Sequence, residues 1–371
     1  MIKLVVAAVL TVTPASTLVD ANVDVRVTGL APHAAVALRA ATVDAQGRSW
    51  RSRVVYRADA KGVVDTHGSG RILWSMTTPA GHVPFDVQPA PTPVRITALV
   101  GARRVAAGVL TRSGVSAAVT EHDTTLEADG FLGKYFAPPP TMSPVARPVV
   151  LLLGGSDGGY ADTQIAALYA SHGYGTLALA YFGEPGLPER LQNIPLEYFE
   201  KALQWLHTKA SRVLVQGASR GSEPALLIGA TYPGLVQGVV GMSGFSSIHG
   251  GLPSGFGWTL GGRPVVGELP IERVHGPVLL LAGGEDAVIG KEAVVSAHRL
   301  QQRARQHGKT DVQVVVYPHA GHGVIGVPNL PAPGEAKGSA GITYVFGGEP
   351  TANALAHADS WAKIFRLLGT V

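Results

Sequence analysis

The sequence predicts an α/β protein in two parts: a small all-β sandwich, then a larger domain built on a mostly parallel sheet. Three observations support this. The chain has 371 residues, more than the roughly 100–200 of one domain. Short β-type runs punctuated by Gly and Pro fill its front third. After Pro148, apolar runs alternate with helical stretches, the pattern of successive βαβ units. The expected division is a sandwich over residues 1–120, a connector over 121–148 and the α/β domain over 149–371.

In the front part, Val23-Asp24-Val25-Arg26-Val27 alternates strictly and is broken by Gly29 and Pro32. Ala35 to Arg39 and Arg53 to Arg57 read as further strands, and Val94 to Val100 with Arg104 to Leu110 as a hairpin about Gly101. Strands at this spacing without a long helix favour a small antiparallel sandwich. The run Pro138-Pro139-Pro140 stiffens the connector.

In the back part, Val149 to Leu153 is apolar throughout, as expected of a parallel strand buried on both faces. A helix fits Thr163 to His172, stopped by Gly173, and Gly175 to Tyr181 is a second buried strand. Glu197 to Ala210 is helical, Arg212 to Gln216 is the third strand, and Pro224 to Thr231 lies in the next helix. Val236 to Met242, Val278 to Ala282 and Val312 to Tyr317 continue the strands, and Thr351 to Leu368 closes the chain as a helix.

Composition removes several classes of function. With no cysteine there is no disulfide, thiolate metal site, iron–sulfur cluster or catalytic thiol. Residues 1–120 carry 13 Lys/Arg against 6 Asp/Glu, an excess suited to a phosphate-bearing ligand or to solvated strand faces. No arginine-rich stretch or stacking aromatic pattern supports nucleic-acid binding. No segment reaches the ~18 consecutive apolar residues of a membrane helix. Leu4 to Leu10 reads as a first strand ended by Pro14 and implies a cytoplasmic protein; the alternative is export, with residues 1–15 as a signal peptide.

The motif Gly-x-Ser-x-Gly occurs at Gly154–Gly158 and at Gly217–Gly221. With 47 glycines, chance supplies roughly 0.3 such matches, so context must separate the two. A nucleophile elbow needs a strand, a sharp turn with small neighbours, and a helix starting at the serine. The second match meets this demand and makes Ser219 the candidate nucleophile. The first follows the opening strand of the series, where such enzymes place the loop that donates N–H groups to an oxyanion. Gly155 and Ser156, together with the N–H of Arg220, are the candidate oxyanion donors.

A serine hydroxyl is a poor nucleophile until a histidine accepts its proton and an acid fixes that imidazole's tautomer. Asp286 follows the strand ending at Ala282, and His322 follows the strand ending at Tyr317, in the order serine, acid, histidine. Glu285 and His319 are the neighbouring competitors. Asp286 is preferred because it lies deeper in its loop, and His322 because Gly321 and Gly323 give it freedom. The pair His319 and His322 lacks a third ligand, so no metal is expected. No dinucleotide fingerprint is present either, and no cofactor is expected.

The chain resembles the acyl-CoA thioesterase / bile acid-CoA:amino acid N-acyltransferase family along nearly its whole length. The resemblance rests on Thr-Pro-Ala-Ser-Thr-Leu-Val-Asp at 13–20, Tyr-Arg-Ala-Asp-Ala-Lys-Gly-Val-Val-Asp at 56–65, Leu-Ala-Leu-Ala-Tyr-Phe at 177–182 and Tyr-Pro-His-Ala-Gly-His at 317–322. It implies an immunoglobulin-like domain followed by an α/β-hydrolase domain, a triad on Ser219, Asp286 and His322, and an acyl-CoA substrate. Transferase members carry cysteine at the nucleophile, whereas Ser219 stands here, so hydrolysis is expected. The alternatives are an acyl-CoA:amino acid N-acyltransferase, or a general carboxylesterase or dienelactone-type hydrolase on the same fold. The chain ends Leu368-Gly369-Thr370-Val371, unlike a peroxisomal Ser-Lys-Leu address.

Overall fold

A computed structural model describes residues 7–142, 147–337 and 342–371. The chain forms two compact units, residues 1–115 with 327–333, and residues 116–326 with 334–371.

The first unit is a sandwich of two sheets. One has three strands in the order Val9–Thr13, Asp24–Thr28, Val64–Asp65. The other has five, in the order Ser16–Leu18, Arg103–Ser113, Thr92–Val100, Ala35–Val43, Ser49–Arg57. Alternation explains the packing. Val25 and Val27 on one sheet, and Val36, Leu38, Ile96 and Leu110 on the other, point into one apolar core. The hairpin about Gly101 forms as expected, with that glycine at φ +60°, a conformation costly for a side chain with a Cβ. The first strand begins at Val9; the expectation for Leu4 to Leu10 falls partly on residues outside those described.

The second unit is built on an eight-stranded sheet. Its order is Val312–Tyr317, Val278–Gly283, Gly238–Met242, Val213–Ala218, Val149–Leu153, Thr176–Ala180, Leu132–Ala137, Thr120–Thr124. The first six are mutually parallel; Leu132–Ala137 runs antiparallel to both of its neighbours, so Thr120–Thr124 at the edge again runs in the direction of the six. Every residue of Val149–Leu153, Thr176–Ala180 and Gly238–Met242 is buried, as apolar runs covered by helices on both faces require. The helices Thr163–Ser171, Leu196–His207, Ser222–Thr231, Glu292–Gln306 and Pro350–Leu368 supply that cover. This is the α/β-hydrolase architecture expected. Among the described residues no helix is long and apolar enough to cross a membrane.

The stretch 121–148 differs from the expected connector, because Thr120–Thr124 and Leu132–Ala137 extend the sheet at its edge. Four of the five residues of Thr120–Thr124 are exposed, so the strand lacks the apolar alternation that would have revealed it. It is held by backbone pairing to Leu132–Ala137.

Within the second unit the chain passes from Val149–Leu153 to Thr176–Ala180 on one side, then returns to Val213–Ala218 on the other. The strand order therefore reverses between Val149–Leu153 and Val213–Ala218. Ligands of open α/β sheets bind at such a switch point, beyond the carboxyl ends of the strands.

Leu151→Ala, at a fully buried position of the central sheet, should cost about 2–5 kcal/mol in urea unfolding. Val55→Ala, at a side chain 54% exposed, should stay within about 0.5 kcal/mol of wild type. Equal losses at the two sites would contradict this account of the core.

Candidate active site

Ser219 stands directly after the strand Val213–Ala218, at φ +54°. A non-glycine residue held in this left-handed region costs about 1–3 kcal/mol, which the surroundings must offset. A short 3-10 turn, Ser219–Gly221, leads into the buried helix Ser222–Thr231. The flanking glycines are required by space. A Cβ on Gly217 would lie 2.1 Å from the Gly221 carbonyl oxygen, and one on Gly221 would lie 2.3 Å from that of Gly154. Ser222 locks the turn from beneath: its Oγ accepts the Met242 N–H at 2.9 Å and lies 3.0 Å from the Gly217 carbonyl. The start of the helix directs its positive dipole end toward the elbow.

The loop after Val149–Leu153 packs against this turn. A Cβ on Gly155 would meet that of Ser219 at 3.3 Å. The Tyr181 hydroxyl donates to the Gly154 carbonyl at 2.6 Å, and the Gly159 N–H donates to the Phe182 carbonyl at 2.9 Å. Both tie the loop to the end of the next strand. Ser156 is half-buried in this loop.

Asp286 and His322 meet across two neighbouring strand ends. His322 Nδ1 lies 2.7 Å from Asp286 Oδ2, with side chains 6% and 0% exposed. The second oxygen, Asp286 Oδ1, accepts the N–H groups of Val288 at 2.9 Å and Ile289 at 3.0 Å. With the carboxylate accepting from Nδ1–H, Nε2 is left as the proton acceptor. Backbone bonds fix the histidine as well. Its N–H donates to the Phe346 carbonyl at 2.7 Å, and its carbonyl accepts the Ser243 hydroxyl at 2.8 Å. Gly321 serves close packing here rather than the freedom expected of it, because a Cβ there would lie 2.3 Å from the Gly347 carbonyl oxygen.

The competing residues form a pair of their own. His319 Nδ1 lies 2.9 Å from Glu285 Oε1, with side chains 67% and 46% exposed. That hydrogen bond holds the His319 imidazole above its ordinary pKa. The loops therefore sort two acids and two histidines into one exposed pair and one buried pair. Asp286, His322 and Ser219 all follow carboxyl ends of strands in the same sheet. Among the described residues no hydrogen bond joins Ser219 to His322; proton transfer needs their Oγ and Nε2 within about 2.6–3.2 Å.

One feature beside the elbow escaped the sequence reading. The Arg220 side chain turns inward, donating to Glu223 Oε2 at 2.7 Å and to the Gly250 carbonyl at 2.8 Å. Its guanidinium is thereby held in the protein interior, with the residue 5% exposed. Glu223, completely buried, also accepts Trp258 Nε1 at 2.7 Å and the His249 N–H at 2.8 Å. Burial pushes its carboxyl up to about 7, against the pull of Arg220 and the two other donors. The three-residue spacing of Arg220 and Glu223 at a helix start was the available signal, since such residues are neighbours on one helix face.

Because Glu223 has its pKa raised from 4.5, the folded protein keeps a proton that the unfolded chain releases. Its contribution to stability is full below about pH 4.5 and is lost as pH rises toward about 7. Glu223→Gln should remove that part of the slope, read from urea unfolding across this window. An unchanged slope would contradict the assignment.

Residues 20–125 match the acyl-CoA thioester hydrolase/BAAT N-terminal region, and residues 265–370 match the BAAT / acyl-CoA thioester hydrolase C terminal family. Acyl-coenzyme A thioesterase 1 of Rattus norvegicus is 28% identical, over 93% of this chain and 92% of the relative. Acyl-coenzyme A amino acid N-acyltransferase 1 of Mus musculus is also 28% identical, over 95% of both. Among solved structures, an alpha/beta hydrolase enzyme from a Medee basin deep-sea metagenome library aligns with TM-score 0.44 and 16% identity, over 68% of this chain and all of that one. The chain belongs to the acyl-CoA thioester hydrolase/BAAT family.

Proposed function

We propose that this enzyme hydrolyses acyl-CoA thioesters to the free acid and coenzyme A through an acyl-enzyme on Ser219. The observation that carries the reading is the buried Asp286–His322 pair, at the carboxyl edge of the sheet whose strand Val213–Ala218 ends in the serine elbow. The thioesterase and acyltransferase relatives supply the substrate class.

Ser219 Oγ attacks the thioester carbonyl as its proton passes to His322 Nε2. Asp286 holds the imidazole in the required tautomer and stabilises the imidazolium that forms. The backbone N–H of Arg220 and those of the Gly155–Ser156 loop receive the developing oxyanion; each such donor is worth about 2.7–4 kcal/mol in the transition state. Collapse breaks the carbon–sulfur bond, and the thiol of coenzyme A leaves with the proton from His322. Water then attacks the serine ester with His322 again as base, releasing the acid and restoring the hydroxyl. An oxygen ester on serine is less reactive toward amines than a cysteine thioester, which favours water over glycine or taurine as acceptor. Acyl-CoA is an intracellular metabolite, so the proposal carries a cytoplasmic location.

Ser219→Ala should lower kcat for acyl-CoA hydrolysis by at least about 10³-fold with the fold intact, measured by thiol release. Wild-type turnover in that variant would overturn the proposal. Faster turnover of simple esters than of any acyl-CoA would favour a carboxylesterase, and stoichiometric acyl-glycine or acyl-taurine would favour the transferase reading.

A further inference from the structure

The helix Pro350–Leu368 carries two buried polar side chains whose partners lie outside it. Asn353 and His357 stand one turn apart on one face and are 6% and 4% exposed. Neither is a strong helix former, and burying either costs free energy unless its polar atoms are bonded. Both are bonded to the loop that carries His322.

Asn353 Oδ1 accepts the Gly321 N–H at 2.8 Å, and Asn353 Nδ2 donates to the Gly347 carbonyl at 3.0 Å. His357 Nε2 lies 2.9 Å from the Gly323 carbonyl oxygen. A carbonyl only accepts, so Nε2 carries the proton, and burial holds this imidazole below its ordinary pKa, in the neutral form. The loop is pressed onto the ring: a Cβ on Gly326 would fall 2.4 Å from His357 Cε1. The two side chains thus grip the residues immediately before and after His322.

The second partner of Asn353 extends this grip. Residues 346–348 bridge both loops of the buried pair, Gly347 pairing with Asp286 and Gly348 with Ala320. The Phe346 carbonyl accepts the His322 N–H, and the Phe346 ring stands 5.9 Å from the imidazole. Asn353 therefore cross-links the histidine loop to the segment that also touches the acid. Backbone position limits where an imidazole can reach, and a misplacement of about 1 Å can cost about 100-fold in rate.

We propose that Asn353 and His357 are positioning residues, which together clamp the His322 loop so that its imidazole is held between Asp286 and the Ser219 hydroxyl. The inference rests on the acyl-transfer reading above and extends it to two residues given no part in the chemistry itself.

The test combines kinetics of acyl-CoA hydrolysis with NMR of the full-length protein carrying isotope-labelled histidine. Asn353→Ala and His357→Met should each lower kcat at least about tenfold and leave KM within about twofold, because a misplaced base weakens only the transition state. Without substrate, the His322 Nδ1–H proton should exchange with water at least about tenfold faster in both variants, as its bond to Asp286 loosens. His357→Gln matches the methionine in size but keeps an N–H for the Gly323 carbonyl, and should recover most of the lost kcat. Ile364→Val trims a fully buried side chain about two turns further along the helix and should leave kcat within about twofold. Turnover that survives His322→Ala would sink the acyl-transfer reading, and the inference with it. Turnover abolished by His322→Ala, with kcat and proton exchange unchanged in Asn353→Ala and His357→Met, would overturn the inference alone. Equal losses in His357→Gln and His357→Met, or an equal loss in Ile364→Val, would overturn it as well.

Discussion

The site depends on a single buried hydrogen bond, from His322 Nδ1 to Asp286 Oδ2 at 2.7 Å. A carboxylate with no exposed surface must be partnered, and Asp286 is satisfied by the imidazole on one oxygen and two backbone N–H groups on the other. That arrangement fixes the acid, and the acid fixes the ring. His322 keeps one ring nitrogen outside that bond, the one that accepts the Ser219 proton in the proposed mechanism.

Close approach of backbone to backbone makes the arrangement rigid. Glycines 217 and 221 let the elbow fold tightly, and glycines 283 and 321 let the acid and histidine loops pass within van der Waals reach. At Gly283 an added Cβ would fall 1.9 Å from the Gly321 carbonyl oxygen. Arg220 and Glu223 anchor the elbow from its other side, joining it to the segment that carries His249, Gly250 and Trp258. The strain at Ser219 is thereby met by packing and hydrogen bonds on both flanks of the turn.

Much of this was legible in the sequence because local patterns encode it. Continuous apolar runs marked Val149–Leu153 and Val278–Gly283, and the small residues around Ser219 marked the elbow. What was hidden is held by distant partners. Thr120–Thr124 is exposed and polar, so only its pairing with Leu132–Ala137 makes it a strand. Residues 327–333 cluster with the first unit through bonds such as Arg112 to the carbonyl of Asn329, 217 positions away, which no local periodicity announces. In the sequence, depth in the loop separates Asp286 from Glu285, and the flanking Gly321 and Gly323 separate His322 from His319. The structure separates them by burial.

The central claim is that the acyl group rests on one particular hydroxyl during turnover. Rapid acid quench of the enzyme with an acyl-CoA, followed by mass spectrometry of its peptides, reads that directly. The account predicts an added acyl mass on the peptide bearing Ser219, appearing in the burst and decaying as free acid forms. An acyl mass on the peptide bearing Ser156 would contradict it.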